Sequence, residues 1–223
     1  MSVRRRFPGE SSEYRSARDE LLEAEAALRD QVEAVAALRR RLPDGGPVED
    51  YVFEGAGEYG APEPVRLSAL FSHGREALVV YSLMFGPEMD EPCSACTSLV
   101  DGLNGVAAHV LERVDLVVVA RSPLPRVVEL ARSRGWTRIP ILSSARNDYN
   151  RDYLAEDEEG RQLPMLNVFV RRPEGIRHFW GSELLLAPSE GDPRHVDLIW
   201  PLWNLLDLTP QGRGTDWYPK LSY

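Results

Sequence analysis

Between residues 76 and 144, apolar runs of strand length alternate with segments of helical periodicity. The runs at 76–85 and 114–121 are almost continuously apolar, which is typical of strands buried on both faces of a parallel sheet. Residues 97–112 and 122–135 have the pattern of amphipathic helices and follow these runs in turn. Because a crossover helix is the usual link between parallel strands, this order indicates a layered α/β architecture.

Turn and cap signals predict the remaining elements. We expect Ser122 to cap the helix at 122–135 and Gly135 to end it. The other predicted elements are a helix at 11–42, strands at 50–55 and 138–144, a hairpin of residues 165–172 and 175–182, and a helix at 193–208 with a kink at Pro201. The predicted organisation is an N-terminal helical extension at 1–46, an α/β domain at 47–214 and a tail at 215–223.

The first predicted helix has an apolar residue every seven positions, at Leu21, Leu28, Val35 and Leu42. Glu and Arg fill its other faces, so the helix is amphipathic. Two interpretations stay open for this stripe. It packs on the body of the same chain, or it forms a homodimer contact, since about four heptads is long for a helix that covers one small domain.

Charge and hydropathy exclude several classes of partner. The 223 residues have a formal net charge of −9, and the acidic excess falls after residue 42. An acidic domain is a poor ligand for nucleic acid, so no nucleic-acid partner is expected. No apolar run approaches the roughly 20 residues that cross a bilayer, and no apolar segment follows the basic N-terminus. We therefore expect a cytoplasmic protein with no membrane partner.

The stretch GAGEYG at residues 55–60 matches the dinucleotide-binding pattern G-x-G-x-x-G. That pattern holds a pyrophosphate only when a helix begins after its third glycine. Here Pro62 and Pro64 follow, which is incompatible with such a helix. We interpret the stretch as a glycine-rich hairpin or loop.

The only two cysteines, Cys93 and Cys96, are three residues apart. The spacing suits half of a zinc site, a buried inert pair or a redox couple. The zinc hypothesis is weak because the histidines are isolated from one another (His73, His109, His178 and His195). We expect neither a metal nor an organic cofactor. A pair between a buried strand and a helix favours the redox couple.

The predicted helix start gives the two thiols different roles. Unpaired N–H groups and the helix dipole at the first turn stabilise a thiolate at Cys93, while Cys96 lies one turn further on. Cys93 would attack and Cys96 would resolve the mixed disulfide. Glu88, Asp90 and Glu91 oppose this by raising the thiol pKa, and the sequence leaves that balance open.

A buried strand, a CxxC that opens a helix and an X-Pro before a strand hairpin resemble the order of a thioredoxin fold. Pro164, in LPMLNVFVRRPEGIRHF (163–179), matches the cis-proline of that fold. The inserted segment SSARNDYNRDYL (143–154) looks more like peroxiredoxins. LVVYSLMFGP, CSAC, NDYNRDY and NLLDLTPQGRG resemble a bacterial family of thioredoxin-like proteins of unknown function.

This resemblance implies a thioredoxin-like α/β fold, with a central mixed sheet flanked by helices, and the extra N-terminal amphipathic helix. It implies a thiol–disulfide oxidoreductase with Cys93 as nucleophile and Cys96 as resolving thiol. Pro164 would present the substrate backbone through a cis peptide bond with Leu163. The partner would be a protein or small-molecule disulfide.

The chain departs from both families. C-S-A-C lacks the internal glycine and proline of thioredoxin, and residues 76–85 contain no buried aspartate to assist proton transfer. The peroxiredoxin signature P-x-x-x-[ST]-x-x-C is missing, because Asp90 stands three residues before Cys93. A peroxiredoxin-type thiol peroxidase and a non-catalytic scaffold that binds a partner are the alternatives.

Two further motifs have ordinary interpretations. NDYNRDY (147–153) is typical of a solvated turn or a helix N-cap, and lining a substrate cleft is the alternative. Trp200 and Trp203 have helical spacing and predict core packing. The C-terminal residues predict a loosely ordered tail or an arm that reaches another subunit.

Overall fold

A seven-stranded mixed sheet organises the chain in the computed structural model, which describes residues 6–57, 60–186, 196–214 and 216–223. The strand order is β2-β1-β5-β4-β3-β6-β7. The strands are β1 (Val52–Ala56), β2 (Pro62–Arg66), β3 (Ala77–Leu83), β4 (Asp115–Ala120), β5 (Ile141–Ser143), β6 (Met165–Arg172) and β7 (Gly175–Gly181). The helices are α1 (Ser12–Arg40), α2 (Ser94–Val110), α3 (Leu124–Arg134), α4 (Tyr149–Asp152) and α5 (Pro201–Asp207).

The centre of the sheet is a β3-α2-β4-α3-β5 unit followed by the β6–β7 hairpin. Strands β3, β4 and β5 are parallel, while β6 pairs antiparallel with β3 and β7 antiparallel with β6. This confirms the layered α/β architecture predicted from the alternation of apolar runs, and the mixed sheet that the resemblance implied. It also places the end of β3, and the residues that follow it, between β4 and β6.

Side chains of β3 alternate between two cores. Tyr81 and Leu83 pack with residues of α2 and α3 on one face, including Leu99 and Val127. Leu78 and Val80 pack on the other face with Tyr51, Phe53, Phe169 and Tyr149, which form an aromatic cluster. Burial on both faces explains the nearly continuous apolar sequence of this strand.

The edge of the sheet contains a strand that the sequence did not predict. β2 begins at Pro62, pairs with β1 in an antiparallel hairpin and is the last strand at its end of the sheet. Prolines are tolerated there because an edge strand has N–H groups that need no partner in the sheet. The prediction of a glycine-rich hairpin at 55–60 is confirmed in the described part, whereas residues 58 and 59 lie outside the described residues.

The starts of two helices differ from the prediction. α2 begins at Ser94, three residues early, because Cys93 serves as its N-cap. The N-cap of α3 is Pro123 and not Ser122, and no side chain caps that helix. Gly135 ends α3 as predicted, in the left-handed conformation at φ 67° that favours glycine.

The predicted closing helix is two short elements. A single 3₁₀ turn at Asp197–Ile199 is followed by α5, which begins at Pro201. Proline favours the first turn of a helix, so Pro201 starts α5 and does not kink it. Residues 193–195 of the predicted helix lie outside the described residues.

The chain divides into two compact units, Met1–Pro43 and Asp44–Tyr223. The first contains α1, whose N-cap Ser11 accepts a hydrogen bond from the Tyr14 N–H at 3.1 Å. The second contains the sheet and both cysteines. No helix in the described ranges is both long and apolar enough to pass through a bilayer.

Candidate redox site

Cys93 lies where the loop after β3 meets α2. Its N–H donates to the Met84 carbonyl at 3.0 Å, and its own carbonyl accepts from the Thr97 N–H and hydroxyl, both at 2.9 Å. Cys93 is partly exposed, and Cys96 is 4 % exposed. The first cysteine is therefore accessible, whereas the second is buried. Both thiols are free.

The Cys93 sulfur is surrounded by hydrogen-bond donors. The Cys96 thiol donates to it, and so do the backbone N–H groups of Cys96 and Ala95, the former at 3.5 Å. These bonds favour the thiolate and lower the pKa of Cys93 to about 6, although partial burial opposes the shift. Near neutral pH the thiolate is therefore the main form of this side chain.

The pKa of Cys96 is shifted in the opposite direction. Its hydrogen bond to Cys93, its burial and the negative charge of the Cys93 thiolate raise its pKa well above the usual value. Cys96 therefore keeps its proton while it donates to Cys93. The pair therefore holds one proton between two hydrogen-bonded sulfurs.

Tyr81 contacts the buried sulfur from β3. The hydroxyl of this side chain, which is 3 % exposed, hydrogen-bonds to Cys96, and that bond moderates the rise in the pKa of Cys96. Burial, together with the nearby sulfurs, raises the pKa of Tyr81 itself far above its usual value, so the phenol stays protonated. The neutral Tyr81 hydroxyl is thus a hydrogen-bond donor beside Cys96, on the strand in which the sequence has no aspartate to assist proton transfer.

The acidic residues of the loop do not prevent the thiolate. Glu88, Asp90 and Glu91 are at least partly exposed. Charges in water are screened, so they act weakly on a sulfur that receives direct hydrogen bonds. The direction of the Cys93 pKa shift, which the sequence left open, is therefore set by the hydrogen-bond donors at the start of α2.

Arg126 of α3 fixes the loop before Cys93. Its guanidinium lies over the Phe85 ring, with 4.6 Å from Cζ to the ring centroid. The same group donates to four carbonyl oxygens of the loop backbone, those of Gly86, Pro87, Met89 and Asp90. Because these acceptors belong to the segment between β3 and Cys93, Arg126 fixes the backbone that leads to Cys93.

A cavity of about 390 Å³ opens beside the two sulfurs. Pro164 contributes to its wall together with both cysteines, as the resemblance implied. The predicted cis bond is wrong, however, because the Leu163–Pro164 peptide is trans. The Leu163 N–H is held by the Ala155 carbonyl at 2.9 Å, and the X–Pro bond keeps its intrinsically favoured trans form.

The opposite wall is formed by residues 196–214 and 216–218, here called the C-terminal cap. Its wall residues are Val196, Asp197, Trp200, Trp203 and Tyr218. The predictions of core packing for the tryptophans and of a loose tail are therefore incomplete. Trp203 is buried, but both tryptophans line the cavity, and Tyr218 from the predicted tail joins them.

NDYNRDY does not take part in this site. Tyr149 is fully buried, stacks with Tyr153 at 5.2 Å between ring centroids and belongs to the core on the other face of the sheet. Asp152 accepts a hydrogen bond from the Tyr51 hydroxyl at 2.6 Å. The prediction of a helix N-cap is confirmed, because Asp148 is the N-cap of α4. The motif has an exposed side, with Asp148 and Arg151, and a side buried in the core, and it does not line the cysteine cavity.

The histidines are not brought to the cysteines. His73, His109 and His178 are absent from the cavity wall, and His195 lies outside the described residues. His178 hydrogen-bonds to Asn167 at 2.9 Å. Within the described ranges, no three His, Cys, Asp or Glu side chains gather in a way that could hold a metal ion.

Sequence reasoning missed Tyr81, Arg126 and the cap. Strand alternation could have placed Tyr81 on the same face as Leu83, towards α2, because the two are two residues apart. No local pattern could have identified Arg126, since its partners are carbonyl oxygens far earlier in the chain. The cap depends on contacts between the last residues and α2, which no short motif encodes.

The site and the fold together define a class of protein. A strand–helix–strand unit joined to an antiparallel hairpin, with CxxC at the start of the first helix, is the arrangement of a thioredoxin-like protein. The chain belongs to the bacterial family described as "Bacterial protein of unknown function (DUF899)", whose profile matches residues 4–223.

Several solved structures resemble the chain. Peroxidoxin BcpB from Mycobacterium tuberculosis is 19% identical, with 72% of this chain and 96% of that chain covered and a TM-score of 0.46. AhpC of Enterococcus faecalis is 13% identical, with 79% and 98% covered and a TM-score of 0.48. Peroxiredoxin Q of Xanthomonas campestris is 17% identical, with 73% and 94% covered and a TM-score of 0.46. No curated protein matches significantly. At these values the likeness says nothing about chemistry, and the fold assignment rests on the strand order.

Proposed function

We propose that this protein is a thiol–disulfide oxidoreductase in which Cys93 and Cys96 form the redox couple. The observation that carries the proposal is the pair itself. A partly exposed Cys93 with a pKa of about 6 receives a hydrogen bond from a buried, protonated Cys96. An inert structural pair has no need for a thiolate in contact with a cavity.

The reaction proceeds in two exchanges. The Cys93 thiolate attacks one sulfur of the substrate disulfide, forms a mixed disulfide and releases the other substrate half as a thiolate, which takes a proton from water. Cys96 then attacks the Cys93 sulfur, and its proton passes to the second departing thiolate. The substrate gains two electrons and two protons, and the protein gains the Cys93–Cys96 disulfide.

Each side chain has a role that follows from its position. Cys93 is the nucleophile because it is accessible and ionised, and Cys96 is the resolving thiol because it is buried beside it. Pro164 bounds the substrate on the cavity side. Tyr81 stabilises the Cys96 thiolate as it forms, since its hydroxyl donates to that sulfur.

The test is to trap the intermediate. Cys96→Ser, incubated with a small disulfide, should accumulate as a mixed disulfide at Cys93 that intact-mass spectrometry detects. Cys93→Ser should form no adduct under the same conditions, and the wild type should lose two hydrogen masses. Equal adduct formation in both variants, or in neither, would rule out the assigned order of attack.

The same variants separate this proposal from its alternatives. A peroxidase would convert the wild-type thiolate to a sulfenic acid with hydrogen peroxide faster than it reacts with disulfides. A binding scaffold would keep both thiols reduced with either reagent. We expect oxidation by disulfide to be the faster reaction.

A further inference from the structure

The cavity at the cysteines has the size and lining of a small-molecule site. About 390 Å³ falls within the range in which small ligands are bound, roughly 300–1,000 Å³. Apart from the sulfurs, its wall is mainly aromatic and aliphatic, formed by Tyr81, Met84, Leu99, Trp200, Trp203 and Tyr218 among others. A ligand that reaches Cys93 through this space replaces water on apolar surface.

The aromatic wall is held in place by its own contacts. The Trp200 indole N–H donates to the Ser98 hydroxyl of α2 at 3.3 Å, which ties the C-terminal cap to the cysteine helix. Trp203 packs edge-on against Trp200 at 5.5 Å and lies 6.0 Å from Tyr218, between ring centroids. The cavity is therefore built by the cap and is not an accidental gap between loops.

An ion-pair network fixes the same wall and defines its charge. Arg213 donates to Asp197 at 2.7 Å and also pairs with Asp207, while its guanidinium lies 5.3 Å from the Trp203 ring centroid. Asp197 is 6 % exposed and lines the cavity. Its charge is matched by Arg213, which itself is not part of the wall.

The described wall residues offer no cation to an anionic ligand. Among the described residues that line the cavity, none has a positively charged side chain. The loop before Cys93 carries the carboxylates Glu88, Asp90 and Glu91, all at least partly exposed. Carboxylate-rich disulfides, such as glutathione disulfide, therefore meet repulsion on approach and find no counter-charge among the described wall residues.

We infer that the substrate of the Cys93–Cys96 couple is a small, uncharged disulfide with apolar, preferably aromatic, substituents. The inference rests on the proposed thiol–disulfide exchange and adds its substrate class. One substituent occupies the aromatic wall while Cys93 attacks the adjacent sulfur. The products are two molecules of the apolar thiol and the intramolecular disulfide, with electrons and protons balanced as in the two exchanges above.

The test compares two chromogenic aromatic disulfides of different charge. The neutral probe is 4,4′-dithiodipyridine and the dianionic probe is 5,5′-dithiobis(2-nitrobenzoic acid), with glutathione disulfide as a third reagent. Each rate constant is divided by that of 2-mercaptoethanol thiolate with the same reagent, which removes intrinsic reactivity. The normalised rate should favour the neutral probe by at least about tenfold, a difference equivalent to about 1.4 kcal/mol.

A variant of the cavity wall, with a matched control, tests whether the wall causes the preference for the neutral disulfide. Trp200→Ala should lower the normalised rate with the neutral probe about tenfold, as expected when an aromatic anchor is truncated. Leu208→Ala removes an apolar side chain of the cap that is 80 % exposed and does not line the cavity, and should retain the wild-type rate. Dividing each rate by the rate of iodoacetamide alkylation of the same protein removes any change in the reactivity of the Cys93 thiolate itself.

A binding measurement covers the case in which Trp200→Ala fails to fold. The unreactive thioether bis(4-pyridyl) sulfide should protect Cys93 of the wild type from iodoacetamide in a saturable manner, whereas diglycolate should not. Equal normalised rates for all three disulfides together with no protection would overturn this inference and leave the oxidoreductase proposal intact. Alkylation of Cys93 without reaction with any disulfide would instead defeat the proposed function.

Discussion

At the scale of single residues, one hydrogen bond makes two chemically identical side chains different. Cys93 and Cys96 are three residues apart at the start of one helix, yet the pKa of the first is lowered and that of the second raised. The Cys96 thiol is the largest cause of the shift at Cys93. The lowered pKa of Cys93 thus depends on a protonated Cys96.

This dependence predicts the pH profile of Cys93. As the pH rises, the rate of its alkylation by iodoacetamide should increase through a midpoint at about pH 6 and then level off, because the thiolate is the reacting form. Cys96→Ala removes the thiol donor and should move the midpoint up, towards the usual value of about 8.5. Cys96→Ser retains a donor and should give a smaller shift. Identical midpoints in all three proteins would contradict the pairing.

Tyr81 predicts a separate effect on the second exchange. Tyr81→Phe removes the donor to Cys96 and should raise the pKa of Cys96 further, since that bond favours its thiolate. Release of the second product thiol should slow several-fold, because the free energy of about one hydrogen bond to the forming thiolate is lost. The midpoint for Cys93 alkylation should stay in place. A burst of the first product followed by slower release of the second, measured by stopped flow, checks the prediction; loss of both phases would indicate a merely structural role.

At the scale of elements, the loop before Cys93 has an ordered backbone because α3 supplies its donor. Arg126 interacts with four carbonyl groups and the Phe85 ring, although it is distant in sequence from all of them. These contacts come from a single side chain. The order of the loop should therefore depend on it.

Arg126→Ala should loosen the loop and lower stability. Hydrogen bonds from a charged donor contribute about 1.5–3 kcal/mol in favourable cases, so we expect the free energy of unfolding to fall by about that amount. Amide exchange at residues 86–92 should accelerate, as hydrogen-exchange mass spectrometry can measure. The control Arg132→Ala removes an exposed pair with Glu129 on the same helix and should change neither quantity by much. Unchanged exchange in Arg126→Ala would contradict the positioning role.

Elements with strong local signals were predictable from the sequence, and those fixed by distant contacts were not. Three elements have patterns that fit few other structures: the apolar run of β3, the seven-residue repeat of α1 and the hairpin β6–β7. β2 was missed because its prolines argue against a central strand but not against an edge strand.

Only the part of the site that is encoded in local sequence could be predicted. Cys93 and Cys96 were identified from their spacing and from the strand and helix on either side. The closing helix was misjudged because helical periodicity continues through Trp200, whereas the structure has a 3₁₀ turn and a proline start there. The cap, Arg126 and the trans bond at Pro164 arise from tertiary contacts that no short pattern records.

At the scale of the whole molecule, all residues of the proposed site belong to the unit Asp44–Tyr223. The other unit, Met1–Pro43, contributes α1 with its repeat of Leu21, Leu28 and Val35. The chemistry and the assembly of the protein are therefore expected to be separable. We propose that α1 serves as a homodimer contact.

Light scattering on two variants tests this division. The full chain should have the mass of a dimer, and Leu28→Lys should yield a monomer, because a charge in an apolar helix seam is costly. Arg29→Lys, which keeps the charge at the next position, should remain dimeric. Both variants should retain the wild-type pH profile of Cys93 alkylation. A monomeric full chain would favour the other interpretation, in which the stripe packs on its own body.

The central claim, that Cys93 and Cys96 are a redox couple, is tested most directly by an equilibrium titration. The protein is incubated in a series of dithiothreitol buffers from fully reduced to fully oxidised, quenched with acid, alkylated and weighed by mass spectrometry. We predict one reversible two-electron transition between the dithiol and an intramolecular Cys93–Cys96 disulfide, with no other oxidised species. Thiols that stay reduced throughout, or that oxidise only to separate intermolecular adducts, would contradict the account.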